Sequence, residues 1–170
     1  RPAPAGARPQ RLPEGVTRRP PRAVLGNMSP ASASVALDFS YRHGRVMATE
    51  WLLCGVYLSF APVLDLGQRT VVIGDRAFAA DTAVVIELAD AYIAGMHDAG
   101  MAATGKHFPG HGSVEADSHT DDVLDSRSYE DIEKSDLKPF SALGSKLDAM
   151  MMADRKSTRL NSSHRCISYA

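Results

Sequence analysis

Residues 81 to 108 read DTAVVIELADAYIAGMHDAGMAATGKHF, and they contain one complete helix-to-strand unit. Asp81 is the residue type whose carboxylate satisfies the free amide groups of a helix start. Val84, Val85, Leu88, Tyr92, Ile93 and Met96 then recur at three- and four-residue spacing on one face, which predicts a helix over residues 82 to 99. Gly100 suits the left-handed residue that closes a helix. MAATGKHF is short and apolar and runs into Pro109-Gly110, the pattern of a buried strand whose carboxyl end is Lys106-His107.

Similar units lie on both sides. Upstream, residues 34 to 54 predict a helix with Leu37, Tyr41, Gly44, Ala48 and Trp51 on one face, and Gly55 as its cap. Val56, Leu58 and Phe60 then alternate as in a strand, which Pro62 is expected to end. Downstream, Ser128 and Asp131 resemble a capping box at a helix start, and Pro139 breaks or restarts that helix. KLDAMMMA, residues 146 to 153, reads as a further buried strand. Helix and strand therefore alternate three times, which predicts an α/β fold with a parallel sheet. Three strands cannot close a barrel, so the choice lies between a small open sheet and part of a barrel; in both, chemistry belongs at the carboxyl ends of the strands.

Composition narrows the class. The chain has 170 residues, 44% apolar and 23% charged, with a net charge of −1, as in a globular domain and unlike a nucleic-acid-binding or membrane-surface protein. No apolar run approaches the about 18 residues that span a membrane, and a secretory leader is not evident, so the expected location is the cytoplasm. Cys54 and Cys166 make no disulfide framework, and Cys54, within WLLCGV, is expected to be buried. Residues 1 to 30 hold seven prolines and read as irregular.

The stretch KHFPGHGSVEADSHTDD, residues 106 to 122, holds three of the six histidines. Glycine and proline at that density exclude a helix. Three readings follow. His107, His111, His119 and Asp117 could ligate a metal, although Pro109-Gly110 removes the helix that makes a four-residue histidine spacing useful. Alternatively Asp117 and His119, two apart in an extended segment, project to one side, where the carboxylate fixes the imidazole tautomer for general acid/base work. Lys106 and His107 would then be donors suited to hydroxyls. The third reading is a polar surface loop.

KHFPGHG followed by DSH resembles the signature of the bacterial β-N-acetylglucosaminidases of glycoside hydrolase family three. LSFAPVLDL, VIGDRAF, GMHDAGMAATGKHFPGHG and LDAMMMA also resemble that family's barrel segments, in order, over about residues 8 to 153. The resemblance implies a partial TIM-type (β/α)8 barrel, roughly half of it, formed by residues 1 to 153. It implies hydrolysis of β-linked terminal N-acetylglucosamine, from glycans or muropeptides in cell-wall recycling, with retention of configuration and no cofactor. It assigns His119 as general acid/base with Asp117 as its partner, and Arg11, Arg76, Lys106 and His107 as contacts to the sugar. His111 is assigned to shaping the loop, and Asp65 to hydrogen bonding at a strand end. A monomer is implied for the complete enzyme, with neither nucleic acid nor membrane as partner. The alternatives are an N-acetylglucosaminide phosphorylase, a metal-dependent hydrolase, or a basic-armed binding protein.

Three departures from the family pattern matter. The family's nucleophilic aspartate, in a segment like SDDL, has no counterpart here. APAGARP stands where the family has an Asp-x-Glu-Gly-Gly motif. After Ala153 the resemblance stops, and residues 154 to 170 are expected to be a tail that is not native protein. The expectation is therefore a chain that lacks its nucleophile and does not turn over.

Overall fold

A computed structural model describes residues 21–28, 30–67, 73–111, 124–125, 127–153 and 156–157. The helices among them are α1 (Ala23–Gly26), α2 (Ala33–Leu53), α3 (Thr82–Ala99), α4 (Tyr129–Lys134) and α5 (Lys138–Leu143). The strands are β1 (Leu58–Ser59), β2 (Ala102–Phe108), β3 (Leu124–Asp125), β4 (Ala149–Met152) and β5 (Lys156–Ser157). β1, β2 and β4 form a parallel sheet in the order β1-β2-β4, and β3 pairs in parallel with β5.

The helix-to-strand unit forms as its residues dictate. The Asp81 carboxylate accepts from the amides of Ala83 and Val84 at 2.9 and 3.0 Å. Gly100, at φ +91°, closes α3 in the left-handed conformation that favours glycine. Val85, Leu88, Tyr92, Ile93 and Met96 are buried as the periodicity requires, with Val84 half-buried. The capping box at Ser128 also forms: its Oγ accepts from the Asp131 amide at 3.2 Å and donates to the Asp131 carboxylate at 2.6 Å. Pro139 restarts the helix, as the first turn of α5.

α2 meets α3 by close backbone approach. A Cβ on Gly44 would collide with the Tyr92 carbonyl, and one on Gly95 with the Tyr41 carbonyl. Ser40, fully buried, donates to the Leu88 carbonyl across this contact at 2.6 Å. The packing face of α2 is consequently Ala36, Ser40, Gly44, Met47 and Ala48. Of the five residues expected on that face, Gly44 and Ala48 are buried in it, while Leu37, Tyr41 and Trp51 lie at its half-buried margin. Small residues won because they allow the two backbones to touch.

Four further expectations need correction. Ala23–Gly26 is helical within the stretch read as irregular, with Leu25 buried and Gly26 set against the Phe78 carbonyl. Pro62 does not end the first strand's pairing. Its carbonyl accepts from Lys106, Ala61 accepts from Thr104, and Leu64 donates to Lys106 at 2.6 Å, a ladder that never needs the missing proline N–H. Val56, Leu58 and Phe60 are exposed, as are Met150 and Met152 of β4, because β1 with its flanking residues and β4 are the outer strands of the three-stranded sheet. Cys54 is also exposed, at the end of α2 beyond the packed face. No helix among the described residues is long and apolar enough to cross a membrane.

Candidate functional site at the strand tips

The carboxyl end of β2 lies beside Val63 to Asp65, so Lys106 and His107 sit at the tip of the sheet as the sequence predicts. The Lys106–His107 and Phe108–Pro109 peptide bonds are cis. Asp65, 1% exposed, organises this tip. Its Oδ2 accepts from His107 Nδ1 at 2.6 Å. Its Oδ1 accepts from the amides of His111 and His107 at 2.6 and 3.3 Å. One carboxylate at the end of the first strand thus holds both ends of the turn that leaves β2. Gly110 completes the turn at φ +122°, where an L side chain would be strained. His111 is 4% exposed, and its ring meets that of His107 edge to face at 6.3 Å.

Lys106 is half-buried, and its ammonium is disfavoured. Burial lowers its pKa most, the Arg76 and Arg22 charges lower it further, and Asp65 opposes them. Arg76 lies on the short turn Gly74–Arg76, where its Nε donates to the Ile73 carbonyl at 3.4 Å. Arg22 donates from Nη1 to the Arg76 carbonyl at 3.1 Å, with its guanidinium 5.2 Å from the Tyr92 ring and 5.7 Å from the Phe78 ring. The structure therefore brings Lys106, His107 and Arg76 into one neighbourhood, a cationic and donor-rich rim above a buried carboxylate. Arg22 was not expected there. Its signal is spatial, since nothing near it in the sequence marks an arginine stacked on rings 56 and 70 residues away.

Asp136 forms a second anchor. It is 1% exposed, takes Arg127 Nη1 at 2.5 Å and Ser135 Oγ at 2.9 Å, and packs against Gly110. Asp117, His119 and Arg11 lie outside the described residues. The metal reading depended on two of these. Among the described residues no group of three or more histidine, cysteine, aspartate or glutamate side chains could hold a metal ion.

The fold and site define an α/β protein with a parallel sheet whose strand tip carries donors and cations around a buried carboxylate, at the end of the sheet where such folds place their chemistry. Residues 5–168 match the glycosyl hydrolase family 3 N terminal domain. A β-hexosaminidase from Tolumonas auensis is 51% identical over 150 residues, 87% of this chain and 44% of the relative. NagZ from Neisseria gonorrhoeae, solved in complex with N-trifluoroacetyl-D-glucosamine, superposes with a TM-score of 0.83 at 42% identity, over 87% of this chain and 44% of that one. A family 3 β-N-acetylglucosaminidase from a Paenibacillus species superposes with a TM-score of 0.77 at 33% identity, over 86% and 27%. The chain belongs to glycosyl hydrolase family 3, whose N-terminal domain has a TIM-barrel-type fold. It spans less than half the length of the relatives it matches.

Proposed function

We propose that this chain is the amino-terminal part of a retaining β-N-acetylhexosaminidase that releases terminal β-linked N-acetylglucosamine from glycans or muropeptides. The observation that carries the reading is the Lys106-His107 tip locked by Asp65, in a family 3 chain. In this reading the described residues supply about half of a (β/α)8 barrel. Lys106, His107, Arg76 and Arg11 bind the sugar hydroxyls. His119, steered by Asp117, protonates the departing glycosidic oxygen while a carboxylate attacks the anomeric carbon, forming a covalent glycosyl-enzyme. His119 then takes a proton from the water that releases the sugar. The nucleophilic carboxylate comes from a barrel segment that residues 1 to 170 do not contain.

Two measurements test this. Residues 1 to 170 alone should not turn over an aryl β-N-acetylglucosaminide; turnover abolished by His119→Ala would overturn the assignment of the nucleophile. A chimera joining residues 1 to 153 to the remaining barrel of the Tolumonas auensis relative should hydrolyse that substrate, and His119→Ala should lower kcat roughly 10²- to 10⁴-fold. A folded chimera with no activity, or one indifferent to His119→Ala, sinks the proposal.

A further inference from the structure

Asp65 faces three partners, and two are donors by covalent structure: the amides of His107 and His111. A carboxylate only accepts, so the third contact, to His107 Nδ1 at 2.6 Å, requires a proton on that nitrogen. We propose that Asp65 is a positioning residue that holds His107 in the tautomer protonated at Nδ1, leaving Nε2 as the acceptor of the neutral ring. The burial of Asp65 denies it water as an alternative partner, so the bond to His107 is not readily exchanged. The two amide bonds fix the carboxylate plane, and that plane fixes the imidazole. That Nε2 meets a sugar hydroxyl rests on the function proposed above; the tautomer does not.

Asp65→Asn separates positioning from packing because it keeps the shape and replaces one acceptor oxygen with a donor. The asparagine carbonyl would take the two amides, and its NH2 would face Nδ1. The ring must then accept at Nδ1 and carry its proton on Nε2. A two-bond proton–nitrogen spectrum of the 15N-histidine-labelled chain reads this directly at about pH 8.5, two units above the ordinary imidazole pKa. The His107 signals are identified by their loss in His107→Gln. The expected result is an Nδ1-protonated ring in the unsubstituted chain and an Nε2-protonated ring in Asp65→Asn, with unchanged His97 signals reporting an intact fold. N-acetylglucosamine affinity should fall about tenfold, as for one lost buried hydrogen bond.

An Nε2-protonated His107 in the unsubstituted chain overturns the proposal, and that spectrum decides even if Asp65→Asn fails to fold. So does an unaltered tautomer in the variant, whereas a switched tautomer with undiminished sugar affinity overturns the contact of Nε2 to the sugar. A switched tautomer in a chain that does not bind N-acetylglucosamine supports the role of Asp65, and the glycosidase reading then stands or falls with turnover by the chimera.

Discussion

At Lys106, burial and the Arg76 and Arg22 charges all act against the ammonium, and Asp65 alone favours it. The unfolded chain would hold that proton up to the ordinary value of 10.5, so between the lowered folded value and 10.5 it binds more protons than the native state. The penalty is therefore full below the folded value and is relieved as pH rises through it. Lys106→Met keeps the apolar stem and removes the charge. It should raise the thermal midpoint by about 2–4 °C at neutral pH, and the gain should shrink toward pH 10. Calorimetry across that range checks it, and a gain independent of pH would show that the ammonium is not the source. The same substitution should weaken N-acetylglucosamine binding, so stability and affinity would move in opposite directions.

Among the elements, the α2–α3 contact sets how close the helices lie. Gly95→Ala would gain about 1 kcal/mol of helix propensity on an exposed helix. Here the new methyl would meet the Tyr41 carbonyl and, at 2.9 Å, the Arg45 amide nitrogen, both backbone atoms that cannot swing aside. Overpacking of about 1–3 kcal/mol should win. Urea unfolding should show a lower midpoint for Gly95→Ala; an unchanged or higher one would mean that the helices do not cross at these glycines. Asp148 ties the start of β4 to the sheet. It accepts from the Ala103 amide at 2.8 Å and from His97 Nε2 at 2.9 Å, and these bonds lower its pKa. A depressed carboxylate contributes stability that is present above its ordinary value of 3.8 and lost as pH falls through the folded value. Asp148→Ala should therefore cost about 0.5–1 kcal/mol at pH 7. The difference from the unsubstituted chain should close as pH falls below 3.8 and through the depressed folded value.

For the whole molecule, the sheet leaves apolar side chains uncovered: Phe60 is 60% exposed and Met152 56%, with Tyr57, Leu58 and Met150 nearby in sequence. The outer strands also present backbone groups available for pairing. The isolated chain should therefore self-associate with rising concentration and bind an apolar dye. Phe60→Ser with Met152→Gln should reduce both without lowering the unfolding midpoint, since both side chains are largely in solvent. Light scattering checks this, and association unchanged by the pair would place the sticky surface elsewhere.

Residues 81 to 108 were legible because each signal in them is local. An N-cap needs only the carboxylate of Asp81 near two amides, a helical face needs only its spacing, and Gly100 needs only its freedom from Cβ contacts. Lys106-His107 at a strand tip followed from the same reading. Other features belong to pairs that are distant in sequence, and no local pattern contains them. Gly44 and Gly95 define the helix contact only when brought together, so the apolar face expected for α2 was displaced. Cys54 looked buried from its neighbours but lies past the end of the packed surface. Asp65 could be read as a hydrogen-bonding strand end, yet its grip on His107 and His111 depends on strand pairing across more than 40 residues. By itself the sequence determined α2, α3, β2 and β4, the parallel character of their sheet and the family signature, because backbone propensity and periodicity act within a few residues, whereas α1, β3 and β5 carried no such signal. Only the tertiary structure decided which side chains meet, which charges are buried together and which nitrogen of His107 faces Asp65, because those energies depend on distance through space.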